Sequence, residues 1–166
     1  MYYSVFVTGH GHAAAVFNGA GIKRFYLPVE ENDKLVNLLR RDYPGIEERE
    51  TEESRDTGKK IAGYFRGEDT RLNKISVDFS GCSVFTKNIL SAARLVPYGE
   101  VRTYKWLAKR AGGEDKARAA GNALNKNKLP LIVPCHRIVK SGGELGGFSS
   151  GIEWKIRLLR MEKSIK

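Results

Sequence analysis

Three short runs rich in β-branched and aromatic residues open the chain: YYSVFVTG, HAAAVFNG and IKRFYLPV, separated by glycine turns. Their composition and spacing predict three strands in an antiparallel meander. In ENDKLVNLLRRDYPG, Leu35, Leu38 and Leu39 recur at helical spacing and Pro44-Gly45 ends the run, so a helix is expected there. Residues 46–60, IEERETEESRDTGKK, are charged with little apolar content and read as a surface loop or a loose helix; IAGYFRG reads as another short helix.

The texture changes near residue 79. SVFTKNILSAARLVP sets Val84, Ile89, Ala92 and Val96 close to one helical stripe ended by Pro97. YGEVRTYKWLAKRAGG predicts a turn, a short extended piece and a helix from about Thr103, whose hydroxyl is a candidate N-cap. EDKARAAGNALNKN predicts a second short helix that begins with acids, Glu114 and Asp115, suited to its N-terminus. The Gly112-Gly113 link makes the pair resemble a helix-turn-helix. A loop, KLPLIVPCHRIV, and the glycine-rich KSGGELGGFSSG lead to a final helix, IEWKIRLLRMEK. Two domains follow, residues 1–78 and 79–166.

Charge supports that boundary. The net charge is +10, yet residues 1–78 carry 12 basic against 13 acidic residues, while 79–166 carry 17 against 6. An excess confined to one half suggests a polyanionic partner more strongly than net charge alone, which a solvated basic face explains as well. No apolar run is long enough to span a membrane. The start, MYYSVFVTGHGH, lacks the pattern of a signal peptide. With two cysteines, Cys82 and Cys135, there is no disulfide framework, and a cytoplasmic protein is expected.

VPCHR, residues 133–137, sets a cysteine and a histidine side by side behind a proline in a chain of two cysteines and three histidines. A cysteine is most often an inert buried hydrophobe. A reactive thiolate needs a neighbouring cation, base or helix N-terminus. Adjacent side chains usually point apart, so Cys135 and His136 are expected to communicate through a water or polar link. Zinc needs more ligands than one such pair supplies, and His10 and His12 read as surface residues, so no metal and no cofactor are expected. In ARAAGNAL, Arg118 is the one long side chain among Ala117, Ala119, Ala120, Gly121 and Ala123. This is either tight helix packing or a slim helix able to press on DNA. A minor groove about 6 Å wide excludes a fully dressed helix about 10–12 Å across.

VPCHRIV resembles the active-site signature of the O6-alkylguanine-DNA alkyltransferases, the methylated-DNA–protein-cysteine methyltransferases. PYGEVRTYKWLA (97–108), ARAAGNAL (117–124), PLIVPCHRIV (130–139) and GGFSSGIEWKIRLLRME (146–162) resemble that family's successive blocks, in order, from about residue 80 to 163. The N-terminal half is similar only in outline. The resemblance implies an α+β protein: a small N-terminal antiparallel sheet with helices, ribonuclease H-like and structural, then a mainly helical, winged-helix-like domain with a helix-turn-helix, which binds DNA and accepts the alkyl group. It implies double-stranded DNA bearing O6-alkylguanine as partner, gripped through the minor groove by a monomer, and a flipped base. It implies Cys135 as acceptor, His136 as general base through a water, a half-buried Glu162 polarising His136, and Asn127 bracing the turn. Tyr104 would donate a proton toward guanine N3, and the carbonyls of Ile138 and Cys135 would take the exocyclic amine. Ser149 would hold O6, with Phe148 and Pro130 as pocket walls. Arg118 would fill the space left by the base, with Lys105, Ala117, Ala119 and Gly121 also facing DNA. Cys82 reads as structural. The rival readings are a cysteine hydrolase and a non-catalytic winged-helix binder of alkylated DNA.

Overall fold

The structure is a computed structural model that describes residues 1–113 and 115–166. It divides into two compact units, Met1–Asp78 and Phe79–Lys166. In the first, β1 (Tyr2–Thr8), β2 (Gly11–Asn18) and β3 (Gly21–Val29) form the expected antiparallel meander. Helix α1 (Asn32–Asp42) follows, then a two-residue strand β4 (Glu47–Glu48) and helix α2 (Glu52–Phe65). The sheet order is β3-β2-β1-β4, and β4 pairs parallel to β1.

The run Ala13–Phe17 is fully buried, because both faces of β2 are covered. Ala14 and Val16 pack with Tyr3, Tyr26 and α1 residues Leu35 and Leu39. The opposite face of β1 presents Phe6 to α2, where an added Cβ at Gly58 would lie 2.8 Å from the Phe6 ring. This close approach corrects the expectation for residues 46–60. They hold a strand and most of a 14-residue helix, started by a capping box between Thr51 and Ser54. IAGYF is the end of that same helix.

The second unit is mainly helical: α3 (Val84–Ala93), α4 (Tyr104–Arg110), α5 (Ala117–Leu124) and α6 (Ile152–Met161). It also has a two-stranded parallel pair, β5 (Arg102–Thr103) with β6 (Ile138–Val139). Ile89, Ala92 and Val96 are buried as expected, but Val84 is 78% exposed at the first position of α3, and Val96 lies beyond its end. Thr103 caps α4, its hydroxyl accepting from the Trp106 amide at 3.1 Å. The α4 end is closed by amide bonds from Gly112 to the Lys109 carbonyl and from Gly113 to the Ala108 carbonyl, with Gly112 at φ +83°. That is the left-handed helix ending that favours glycine. No acid lies in the first turn of α5, whose cap is Lys116; Asp115 precedes the cap and Glu114 lies outside the described residues. Helix α5 packs its Ala120, Ala123 and Leu124 side inward and leaves Arg118 and Ala119 exposed. Among the described residues, no helix is long and apolar enough to cross a membrane.

β5 runs straight into α4 and pairs with β6, the strand that follows VPCHR, so Tyr104 is tied to the segment carrying Cys135. Thr103→Ala, which removes the α4 cap, is expected to lower the stability of the second unit by about 1 kcal/mol, read as a shifted midpoint in urea unfolding.

Candidate active site

The turn that presents Cys135 is built from backbone constraints. Pro134 sits at φ −78°, ψ 63°, and the Cys135 amide donates to the Val133 carbonyl at 2.7 Å. This is an inverse γ-turn, for which the proline ring supplies the φ. Residues Cys135–Arg137 then form one 3-10 turn, with Arg137 N–H donating to the Pro134 carbonyl and Ile138 N–H to the Cys135 carbonyl. The preceding loop holds Leu131 at φ +75°, a left-handed conformation uncommon for a side chain of its size. Asn127 braces both ends of this loop. Its Oδ1 accepts from the Leu129 amide at 2.9 Å, while its Nδ2 lies 3.1 Å from both the Val133 carbonyl and Cys135 Sγ.

Cys135 is 4% exposed. Burial pushes its thiol up to about 11, against the pull of Asn127 and the charge of Lys155. It is therefore largely protonated at neutral pH, and its proton needs an acceptor. His136 is fully buried, and burial holds it below its usual range despite the Glu162 carboxylate beside it. His136 Nε2 lies 2.8 Å from Glu162 Oε1. An ionised carboxylate can only accept, so Nε2 carries the proton of the neutral ring and Nδ1 is the basic nitrogen.

Glu162 was expected to be half buried, with His136 as its partner. It is 3% exposed and caps the C-terminus of α6. Arg137 donates to both its oxygens, from Nε and Nη2 at 2.9 Å, and to the Val96 carbonyl from Nη1 at 2.8 Å. The Gly99 amide reaches Glu162 Oε2 at 3.3 Å. Burial alone would raise this carboxyl; the hydrogen bonds from His136 and Arg137 and the Arg137 charge outweigh it and hold it at about 2. Arg137 stands in the VPCHR motif, where the sequence assigns it no role. Nor does it assign one to Lys155, which is fully buried and donates to the Ile138 carbonyl at 2.5 Å. Their signal was present in the last helix, where Lys155, Leu158, Leu159 and Glu162 share the inward stripe, two charges among leucines.

The other singled-out residues divide. An open cleft of about 400 Å³ is lined by Tyr104, Lys105, Ala117, Arg118 and Gly121, and by Lys140, Gly146 and Gly147 of the glycine-rich loop. Tyr104 forms its floor. Added Cβ atoms at Gly121 and Gly146 would come within 3.6 and 3.1 Å of its ring and hydroxyl, so these glycines make room for the tyrosine. Burial raises the Tyr104 phenol, as a Cys135 thiolate would further, so it stays protonated. Phe148 is half-buried and stands edge-on to the His136 ring at 6.4 Å between centroids. Pro130 is buried, Ser149 and Ala119 are exposed, and none of the three lines the cleft. The Ile138 carbonyl accepts from Lys155 and the Cys135 carbonyl from the Ile138 amide. Cys82 is exposed and lies just outside the N-cap of α3. Among the described residues, no three His, Cys, Asp or Glu side chains gather as a metal site.

Residues 84–164 match the family model described as the DNA binding domain of 6-O-methylguanine DNA methyltransferase. The chain is 32% identical over 168 residues to a methylated-DNA–protein-cysteine methyltransferase of Methanosarcina acetivorans, covering 99% of each chain. It is 42% identical over 86 residues to the protein of the same name from Methanothermobacter thermautotrophicus, covering 52% of this chain and 48% of that one. Its fold matches the crystal structure of Mycobacterium tuberculosis OGT in complex with DNA with a TM-score of 0.76 at 26% identity, over 99% of this chain and 94% of that one.

Acid should weaken this cluster in two stages. His136 is depressed, so the folded state resists a proton the unfolded chain accepts, and stability falls as pH drops below about 6.5. Glu162 is also depressed, so its contribution is complete above about 4.5 and is lost as pH falls toward about 2. Glu162→Gln leaves Arg137 buried without its counter-charge and is expected to cost about 3–5 kcal/mol at neutral pH. Unfolding free energies measured against pH should show that loss, and a flatter profile than the wild type between pH 4.5 and 2.

Proposed function

Because the chain belongs to the methylated-DNA–protein-cysteine methyltransferase family, we infer that it repairs DNA by direct reversal, moving a methyl or other alkyl group from guanine O6 to the sulfur of Cys135. The observation that carries this reading is the Cys135 turn: a thiol held by Asn127 and followed directly by a neutral histidine whose far nitrogen is fixed on a buried carboxylate.

In this reading the thiol proton passes through a water to His136 Nδ1, and Glu162 stabilises the imidazolium as it forms. The sulfur attacks the alkyl carbon, an S–C bond forms, and the C–O bond breaks with its electron pair going to guanine. Tyr104 donates toward N3 of the departing base and is re-protonated from His136, so the thiol proton ends on guanine. The Ile138 and Cys135 carbonyls receive the exocyclic amine, Ser149 approaches O6, and Phe148 and Pro130 bound the pocket. The product is a thioether. It offers no carbonyl for water to attack, so each molecule acts once.

The lesion lies in a duplex and must be turned out of the stack. The exposed side of α5 supports the proposed grip: Ala117, Ala119 and Gly121 keep it slim, Arg118 projects, and Lys105 adds charge beside it. A slim helix fits a widened minor groove, with Arg118 filling the gap left by the base. The ribonuclease H-like description of residues 1–78 and the winged-helix-like description of 79–166 belong to this reading. The β1–β3 meander and the α4–α5 pair support them.

Cys135→Ser should abolish transfer while leaving duplex affinity largely intact, and peptide mass after wild-type reaction should locate the methyl on Cys135. Methyl on exposed Cys82, or duplex binding without any transfer, would overturn the assignment. Arg118→Ala should slow repair in duplex DNA much more than on single strands or the free base, because unstacking costs a few kcal/mol only in the duplex. Equal slowing on all three substrates would make Arg118 a structural residue.

A further inference from the structure

Lys155 is a lysine in the core of the second unit, on the same inward stripe of α6 as Leu158 and Leu159. It has no exposed surface, and among the described residues no carboxylate contacts it. A methionine would fill such a position without the cost of burying a cation. Its Nζ donates to the Ile138 carbonyl at 2.5 Å and reaches the Gly147 carbonyl at 3.4 Å. The first belongs to the strand that leaves the Cys135 turn. The second immediately precedes Phe148, whose ring stands against His136. One ammonium therefore joins the nucleophile's turn to the glycine-rich loop that carries the pocket wall.

The charged and titratable groups on the elements packed against it are few. On the turn are Cys135, His136 and Arg137; at the end of α6 is Glu162, already engaged by His136 and Arg137. On the glycine-rich loop, Lys140 and Glu144 are exposed and paired with each other at 2.7 Å. Lys155 therefore faces the ionisation of two groups: it and Cys135 each favour the charged form of the other, and it disfavours a proton on His136.

We propose that Lys155 is a positioning residue for the transfer: its buried ammonium pins the Ile138 and Gly147 carbonyls together, which fixes the pocket loop over the Cys135 turn, and it is the fixed positive charge that favours the sulfur anion as the thiol proton leaves. The proposal rests on the alkyl-transfer reading. Burial holds the Lys155 ammonium down to about 8, so its benefit is present below that pH and is lost as pH rises through it.

The test compares single-turnover methyl transfer by wild type and Lys155→Met from pH 6 to 10, using a duplex oligonucleotide with one O6-methylguanine. At neutral pH the variant should be slower by about tenfold or more, the worth of one charge-assisted hydrogen bond. Duplex affinity should change by less than about twofold, since the side chain touches no surface. The ratio of wild-type to variant rate should then fall as pH rises through about 8. A ratio constant with pH would make Lys155 a structural residue, and an unchanged rate would remove it from the reaction; either overturns the proposal. If Lys155→Met does not fold, Lys155→Gln, which keeps a donor for the carbonyls without the charge, must show the same falling ratio. Absence of transfer by the wild type itself would instead sink the alkyl-transfer reading.

Discussion

A single carboxylate removed from water organises the second unit. Glu162 ends α6, and its two oxygens are taken by His136, by two nitrogens of Arg137 and by the Gly99 amide. Three stretches distant in sequence meet on it: the turn after Pro134, the loop after α3, and the end of the last helix. A buried carboxylate is tolerated only when its lone pairs are filled by donors, at least one of them charged. Arg137 supplies that charge and, through Val96, fastens the α3 exit to the same point. The 135–137 turn is thereby held by the side chains on Glu162, while the Asn127 side-chain amide and the Pro134 γ-turn fix the segment that leads into it.

This framework accounts for the opposite shifts within the site. Burial lifts the Cys135 thiol to about 11, depresses His136, and brings Lys155 down to about 8, whereas Glu162 stays ionised. A site with these shifts keeps its sulfur as a thiol at neutral pH. In the proposed reaction, proton removal is then coupled to the displacement itself, and the neutral imidazole is poised as acceptor because its other nitrogen is committed to Glu162. A protonated thiol reacts more slowly with oxidants and alkylating agents than a thiolate, which suits the proposed single use of the cysteine. The basic excess of residues 79–166 belongs to the same unit, so the proposed DNA grip and the proposed acceptor thiol share one compact unit.

Much of the fold was legible where burial is one-sided or a cap is explicit. The meander, the Leu35–Leu39 face of α1 and the Thr103 cap each follow from local pattern. Helix α2 was not, because its buried side begins with Ser54, Thr57 and Gly58, small residues chosen by close approach to the sheet and not by hydrophobicity. Two residues such as Glu47–Glu48 carry no period at all, so β4 could emerge only from its pairing with β1. In the site, Cys135, His136, Asn127 and Glu162 came from a short motif and a resemblance, and the structure joins them by hydrogen bonds. Arg137 and Lys155 stayed hidden because a charged residue is read as exposed by default. The spacing sets Lys155 on one stripe with Leu158 and Leu159, but only the fold shows that it is fully buried there and that Arg137 turns inward to a carboxylate 25 residues away in sequence.

The account makes the buried Cys135 a terminal acceptor, and the count of methyl groups transferred tests this most directly. The protein is mixed with a large excess of duplex carrying radiolabelled O6-methylguanine, and protein-bound label is followed to completion. The account predicts a plateau at one methyl per chain, carried by a bond stable to hydroxylamine as a thioether is. Repair continuing past one lesion per molecule, with label released to solvent, would contradict it.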